Sequence, residues 1–185
     1  MKHLGNLTVT PENALSFPAV SEIYGHLTVE SGTRLTAPNL VMVRGWVTIL
    51  DEGDLVAPNL GLIDGWLTIR GEGGLTAPNL TEVRTDLTLD IGEALHAPKL
   101  ETVGSLWIKN SASEDTSLKA LGLVRNALTL GKLSWLDAPA LASIGGSLTL
   151  RAGARLSAPN LAHIGGYADI DATATIVAPK FTSGQ

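Results

Sequence analysis

The chain has 185 residues, 44% of them hydrophobic and 4% aromatic, with 20 Gly, 9 Pro and no Cys. That is a globular composition, long enough for one domain with a sizeable core, and it excludes a disulfide framework and thiolate metal sites. A net charge of −5 and a pI near 5.3 argue against a general nucleic-acid or anionic-membrane binder.

The N-terminal stretch MKHLGNLTVT has no apolar signal core and nothing in the chain resembles a membrane span, so a cytoplasmic location is expected. Its Leu7–Val9 triplet opens a series. The pattern L-T-I returns at Leu27–Val29, Val47–Ile49, Leu67–Ile69, Leu87–Leu89, Leu106–Ile108, Leu128–Leu130 and Leu148–Leu150. Two apolar β-formers flank a polar one, which predicts a short strand with its outer residues facing in. The pair Leu35 and Ala37 repeats the same spacing, and Ala there marks a tight place in the core. Pro occupies the next column in eight of nine repeats, where a residue without an N–H belongs at a corner. Gly25, Gly45, Gly65, Gly146 and Gly166 share the column before L-T-I and predict a turn with positive φ. In that column Asn126 also tolerates such a turn, whereas Thr85 fits less well.

The apolar anchors after each corner are Val20, Leu40, Leu60, Leu80, Leu100, Leu121, Leu141, Leu161 and Phe181, spaced by 20 residues with one interval of 21. Pro and Gly leave no window for a stable amphipathic helix. The expected fold is therefore all-β: one parallel β-solenoid domain over residues 1–185, with about nine coils and an irregular coil at 104–120. At about 4.8 Å per coil it makes a rod roughly 40 Å long. Asn39, Asn59, Asn79 and Asn160 share a column and are expected to hydrogen-bond to one another as a ladder.

The motif "APNLxxVxGxLTI" resembles the coil of receptor L domains, the leucine-rich-repeat-like right-handed β-helices of growth-factor receptors. The likeness runs from Leu15 to about Ile176 and is one of columns. It implies a right-handed coil and a binding scaffold, with no catalytic residues to carry over. The chain departs from that family in lacking Cys, in its shorter coils and in its near-perfect periodicity. It differs from true leucine-rich repeats, whose Asn follows the strand. It is also similar to uncharacterised repeat proteins of bacteria and their mobile elements.

Function is sought where the repeat breaks its own rule. Trp46 and Trp66 share an outward column, close enough to stack, with Leu50 on the same strand face as Trp46. Met42 and Leu62 share another variable column, and together these residues predict an apolar partner patch. At the irregular coil, Trp107 replaces the outward Thr and NSASEDTS, with Glu114 and Asp115, replaces the short turn. Lys119 replaces Pro, so the regular corner is expected to be lost. Residues 51–115 hold 12 of the 18 acidic residues but 4 of the 13 basic ones, a local balance of −8. No capping element is evident at either end of the repeat, so a homodimer is expected, formed through an open end or through the Trp patch, unless Tyr167, Asp169 and the tail FTSGQ act as a cap.

Chemistry finds little support. Asp86 and Asp90 lie about 13 Å apart along one strand, against roughly 5 to 9.5 Å for a glycosidase pair. Arg70, Asp90 and Lys109 read as a surface charge ladder. His3, His26, His96 and His163 are read as four separate columns, which disfavours a metal site. DEGD at 51–54 with Glu72 reads as a solvated acidic loop rather than a Ca²⁺ site. The Thr column resembles that of ice-binding solenoids, but its neighbours are Trp, His, Asp, Arg and Lys. The expectation is a non-catalytic protein-binding scaffold without cofactor or metal and without direct nucleic-acid or membrane contact. The alternatives are an acidic mobile-element inhibitor of a nucleic-acid-handling enzyme and, behind it, a carbohydrate-active β-helix enzyme.

Overall fold

Short strands and tight corners alternate along each 20-residue unit, and among the described residues each strand hydrogen-bonds in parallel to its counterpart in an adjacent unit. The computed structural model describes residues 2–12, 17–90, 95–109 and 118–181. These form an all-β parallel solenoid without helix. The L-T-I segments stack in register, Leu7 on Leu27, Leu27 on Val47, Val47 on Leu67, and so on to Leu148 on Ala168. They build nine rungs from Leu7–Val9 to Ala168–Ile170, and therefore about eight complete turns.

We call this the threonine face, because its middle column holds Thr8, Thr28, Thr48, Thr68, Thr88, Thr129 and Thr149. A second face, the valine face, stacks Glu22–Ile23, Met42–Val43, Leu62–Ile63 and Glu82–Val83. The two faces join without a break in the long strands Glu82–Asp90 and Thr102–Ile108, so they count as one 16-stranded sheet. The third face is a four-stranded sheet, Arg34–Thr36 to Leu95–His96, and beyond the irregular coil a three-stranded one, Trp135–Asp137 to Thr175–Val177.

Side chains alternate as the period of two requires. Leu27, Val47, Leu67, Leu87, Leu128 and Leu148 are wholly buried, as are Leu55, Leu60, Val83 and Leu141. Each full burial of this kind contributes roughly 1.5–3 kcal/mol, and no rung achieves it without its neighbours. Ala57, Ala77, Ala138 and Ala158 sit buried where the third face meets the corner. There the chain reverses in an Ala-Pro-Asn-Leu turn. Leu60 N–H donates to the Ala57 carbonyl at 3.0 Å, and Leu80, Leu100, Leu141 and Leu161 repeat the bond. Pro at the second position supplies the φ such a turn needs and loses no ladder donor.

Several expectations change. The Asn column does not bond to itself. Asn39, Asn59, Asn79 and Asn160 each donate from Nδ2 to the carbonyl of Pro18, Pro38, Pro58 or Pro139, one coil back, at 2.6–2.9 Å. Their amide oxygens stay free for the next coil, where Lys99 reaches Asn79 and Lys180 reaches Asn160. The glycines before L-T-I do not have positive φ; among the described residues Gly32, Gly71 and Gly153 do, together with Glu52 and Leu133. Their column is one of close backbone stacking. A Cβ on Gly65 would meet the Gly45 carbonyl oxygen at 2.6 Å, and one on Gly146 the Asn126 oxygen at 2.8 Å.

The irregular coil keeps its corner despite losing Pro. Leu121 N–H closes the turn on the Leu118 carbonyl at 3.1 Å, and Leu118 N–H joins the Asp137 carbonyl at 2.9 Å. Among the described residues an irregularity lies at the preceding corner, where the register shifts between Val83 and Asp86 and Gly104 alone spans what Arg84 and Thr85 span one coil earlier, while the NSASEDTS segment lies outside them. A Cβ on Gly104 would fall within 2.6 Å of the Arg84 carbonyl oxygen, so no larger residue fits. His3 and His163 turn out to share the backbone column of Met42 and Leu62, at opposite ends of the rod. Among the described residues the last rung is uncovered. Ile170 is 41% exposed, against 1% for Leu150 in the same column, and Tyr167 is 71% exposed, so Tyr167 and Asp169 do not cap it. The rest of the expected cap, residues 182–185, lies outside the described residues.

Candidate functional site

A regular solenoid offers chemistry only through its outward columns, and the threonine face has three. The first holds Asn6, His26, Trp46, Trp66, Asp86 and Ser105; the second is the Thr column; the third holds Glu30, Leu50, Arg70, Asp90 and Lys109. One rung's spacing is close to the thickness that aromatic rings need to stack, so ring-bearing residues in one column meet face to face. Trp46 and Trp66 do so, with ring centroids 4.4 Å apart and planes within 3°. His26 continues the stack below Trp46, its ring within 9° of the indole plane. The His26 backbone N–H is held by Asn6 Oδ1 at 3.0 Å. Sequence reasoning found the two indoles but missed His26 and Asn6, although the repeat step, taken once and then twice toward the N-terminus from Trp46, reaches both.

Leu50 lies half-buried on the same face, two residues from Thr48. Trp107 stands in the Thr column between Thr88 and Thr129, 48% exposed, with the Lys109 ammonium 4.8 Å from its ring centre. Lys109 also pairs with Asp90 at 3.3 Å, so part of the expected charge ladder forms. Met42 and Leu62 are register partners, but on the valine face. The corner between the faces carries Tyr24, Arg44, Asp64 and Arg84, so the expected single patch divides into two strips. Arg44 reaches back to Glu22 at 3.4 Å and lies over the Tyr24 ring. Arg84 pairs with Asp64 and, at 3.8 Å, with Glu82, which also takes Arg125 at 2.7 Å. Glu114 and Asp115 lie outside the described residues.

Among the described residues no three His, Asp or Glu side chains converge as a metal site, and no helix is long and apolar enough to cross a membrane. Comparison of the chain with protein-family models, with curated proteins and with solved structures found no match.

Proposed function

We infer that this solenoid is a non-catalytic scaffold that binds another protein through its threonine face. The observation that carries this reading is the indole stack. Trp46 and Trp66 stand stacked on a Thr-lined sheet, with Leu50 four residues along the rung of Trp46 and Trp107 two rungs beyond Trp66. Trp66 is exposed and Trp46 half-buried beneath it, and an accessible indole held in place before binding is what binding hot spots are made of. A core of stacked Leu and Ile columns does not require Trp at an outward position, and Thr would fill the strand equally well. The test replaces Trp46 and Trp66 together by Thr, then compares melting temperature and partner capture from the source cell. Loss of capture with a retained melting temperature supports the reading; unchanged capture removes it.

The same scaffold is proposed to pair with a second copy through its open last rung. Ala168 and Ile170 are exposed and Ile176 only half-buried there, leaving apolar side chains and strand edge uncovered among the described residues. A two-fold contact closes, whereas head-to-tail stacking would grow filaments. Light scattering over a dilution series checks it: a dimer is expected, and a monomer at every concentration refutes it. The acidic-inhibitor alternative receives less support, because Asp64, Glu82 and Asp90 are taken up by Arg84, Arg125 and Lys109. A channel blocker needs its carboxylates free for the partner's cations.

A further inference from the structure

We propose that the notch above Trp66 on the threonine face binds a guanidinium group, presented as an arginine side chain by the protein partner. The proposal rests on the protein-binding reading and names the chemistry that the face selects. The aromatic column starts at His26, passes through Trp46 to Trp66, and stops because the next residue in the column is Asp86. Trp66 therefore has one indole face covered by Trp46 and its other face toward the rung of Asp86, where a short side chain replaces a ring. Trp66 is 41% exposed, and Asp86 is exposed. Thr88 follows two residues after Asp86 on that rung; on the next rung Ser105 is the register partner of Asp86, and Trp107, that of Thr88, stands two residues further along.

Most charges flanking the notch are paired within the chain; among the described residues Asp86 is not, and neither is Arg70, four residues along the rung from Trp66. Arg84 is engaged by Asp64 and Glu82 on the corner, and Lys109 by Asp90 and the Trp107 ring. Asp86 takes part in none of the ion pairs among the described residues. An open indole face thus lies one rung from a carboxylate without a cation. A planar, delocalised cation fits both: it continues the stack as a further plane, attracted by the ring quadrupole, and its N–H fork donates to Asp86. A lysine ammonium is a strongly hydrated point charge and cannot continue the stack. A nucleobase would stack, but its phosphates meet a segment with a local balance of −8.

The experiment follows the indole N–H resonances of the full-length protein during titration with N-acetyl-arginine amide at constant ionic strength. N-acetyl-lysine amide and the neutral, isosteric N-acetyl-citrulline amide are titrated in parallel. The Trp66 resonance is expected to shift saturably with the arginine probe, more weakly with lysine and not with citrulline. Asp86→Asn, at an exposed position, should keep the dispersed spectrum of the native fold and weaken arginine binding about threefold, as for one exposed charge contact. A Trp66 resonance that ignores the arginine probe overturns the proposal. So does a wild-type affinity in Asp86→Asn, or equal binding of all three probes. The two readings fail separately. A silent Trp66 beside Trp-dependent partner capture removes the guanidinium site alone. Capture that is indifferent to Trp46 and Trp66 removes the protein-binding reading whatever the probes do.

Discussion

Placing Ala or Asn at Gly65 and, separately, at Gly32 distinguishes two reasons for a glycine in a repeat. Gly32 has φ +67°, and a Cβ added to it would meet no atom within 4 Å, so its only demand is conformational. Ala there should cost about 1 kcal/mol, and Asn, which tolerates the left-handed region, a few tenths. Gly65 is outside that region, so Asn gains nothing from its tolerance. A Cβ at Gly65 would lie 2.6 Å from the Gly45 carbonyl oxygen, 2.7 Å from its carbon and 2.9 Å from the Trp46 nitrogen. All three are backbone atoms of the adjacent rung, and they can retreat only by prising the rungs apart. Gly65→Ala and Gly65→Asn should therefore both cost about 3 kcal/mol, the upper end of ordinary overpacking. Urea titration followed by circular dichroism measures all four variants, and indole fluorescence reports whether the Trp46–Trp66 stack opens. If Gly65→Asn is as mild as Gly32→Asn, the column is conformational after all and the close stacking of rungs described here is wrong.

Leu87, wholly buried between Leu67 and Leu106, should not tolerate Asp. An unpaired charge in the core is expected to cost more than about 4 kcal/mol, whereas Thr88→Ser beside it stays within about 1 kcal/mol; thermal melts that place both near wild type contradict the register. Leu133 holds φ +60° while 67% exposed, so Leu133→Gly should raise stability by about 1 kcal/mol, and a lowered midpoint would show that its side chain contributes more than its backbone costs. The Asp171 carboxyl lies below its ordinary value of 3.8 because the Thr173 backbone N–H and hydroxyl donate to it, with Arg151 adding to the effect. A folded pKa below the unfolded one gives stability that is complete above the ordinary carboxylate range and lost as pH falls through the lower value. The difference between wild type and Asp171→Asn should accordingly narrow below about pH 4, and a constant difference from neutral pH into acid would count against it.

Much of this architecture is legible because a solenoid turns sequence period directly into spatial neighbourhood. The inward Leu and Ile columns, the Pro corner and the contact between Trp46 and Trp66 all follow from the 20-residue step. What misleads is chemistry that depends on rung-to-rung distance rather than on residue type. Gly65 looks like a turn residue and is a spacing residue; Asn59 looks like a ladder to Asn79 and instead reaches the Pro38 carbonyl. Lys119 looks like a broken corner, yet the Leu118–Leu121 turn needs only a compatible φ, which Lys can adopt. On the face itself the indoles stand out by size, whereas His26 and Asp86 do not. A histidine and an aspartate are inconspicuous until the column places one under Trp46 and the other over Trp66. The corner of Arg44, Asp64 and Arg84 separates Met42 and Leu62 from Trp46, because four residues of sequence here include a change of face.

The central claim is that the threonine face is the side of the rod that a protein partner covers. Cross-saturation from an unlabelled captured partner onto the methyl-labelled chain maps the covered side directly. The claim predicts attenuation of the methyl signals of Thr48, Thr68, Thr88 and Leu50, with Met42, Leu62 and Leu123 of the valine face unaffected. Attenuation centred on the valine face, with the threonine methyls untouched, would contradict it.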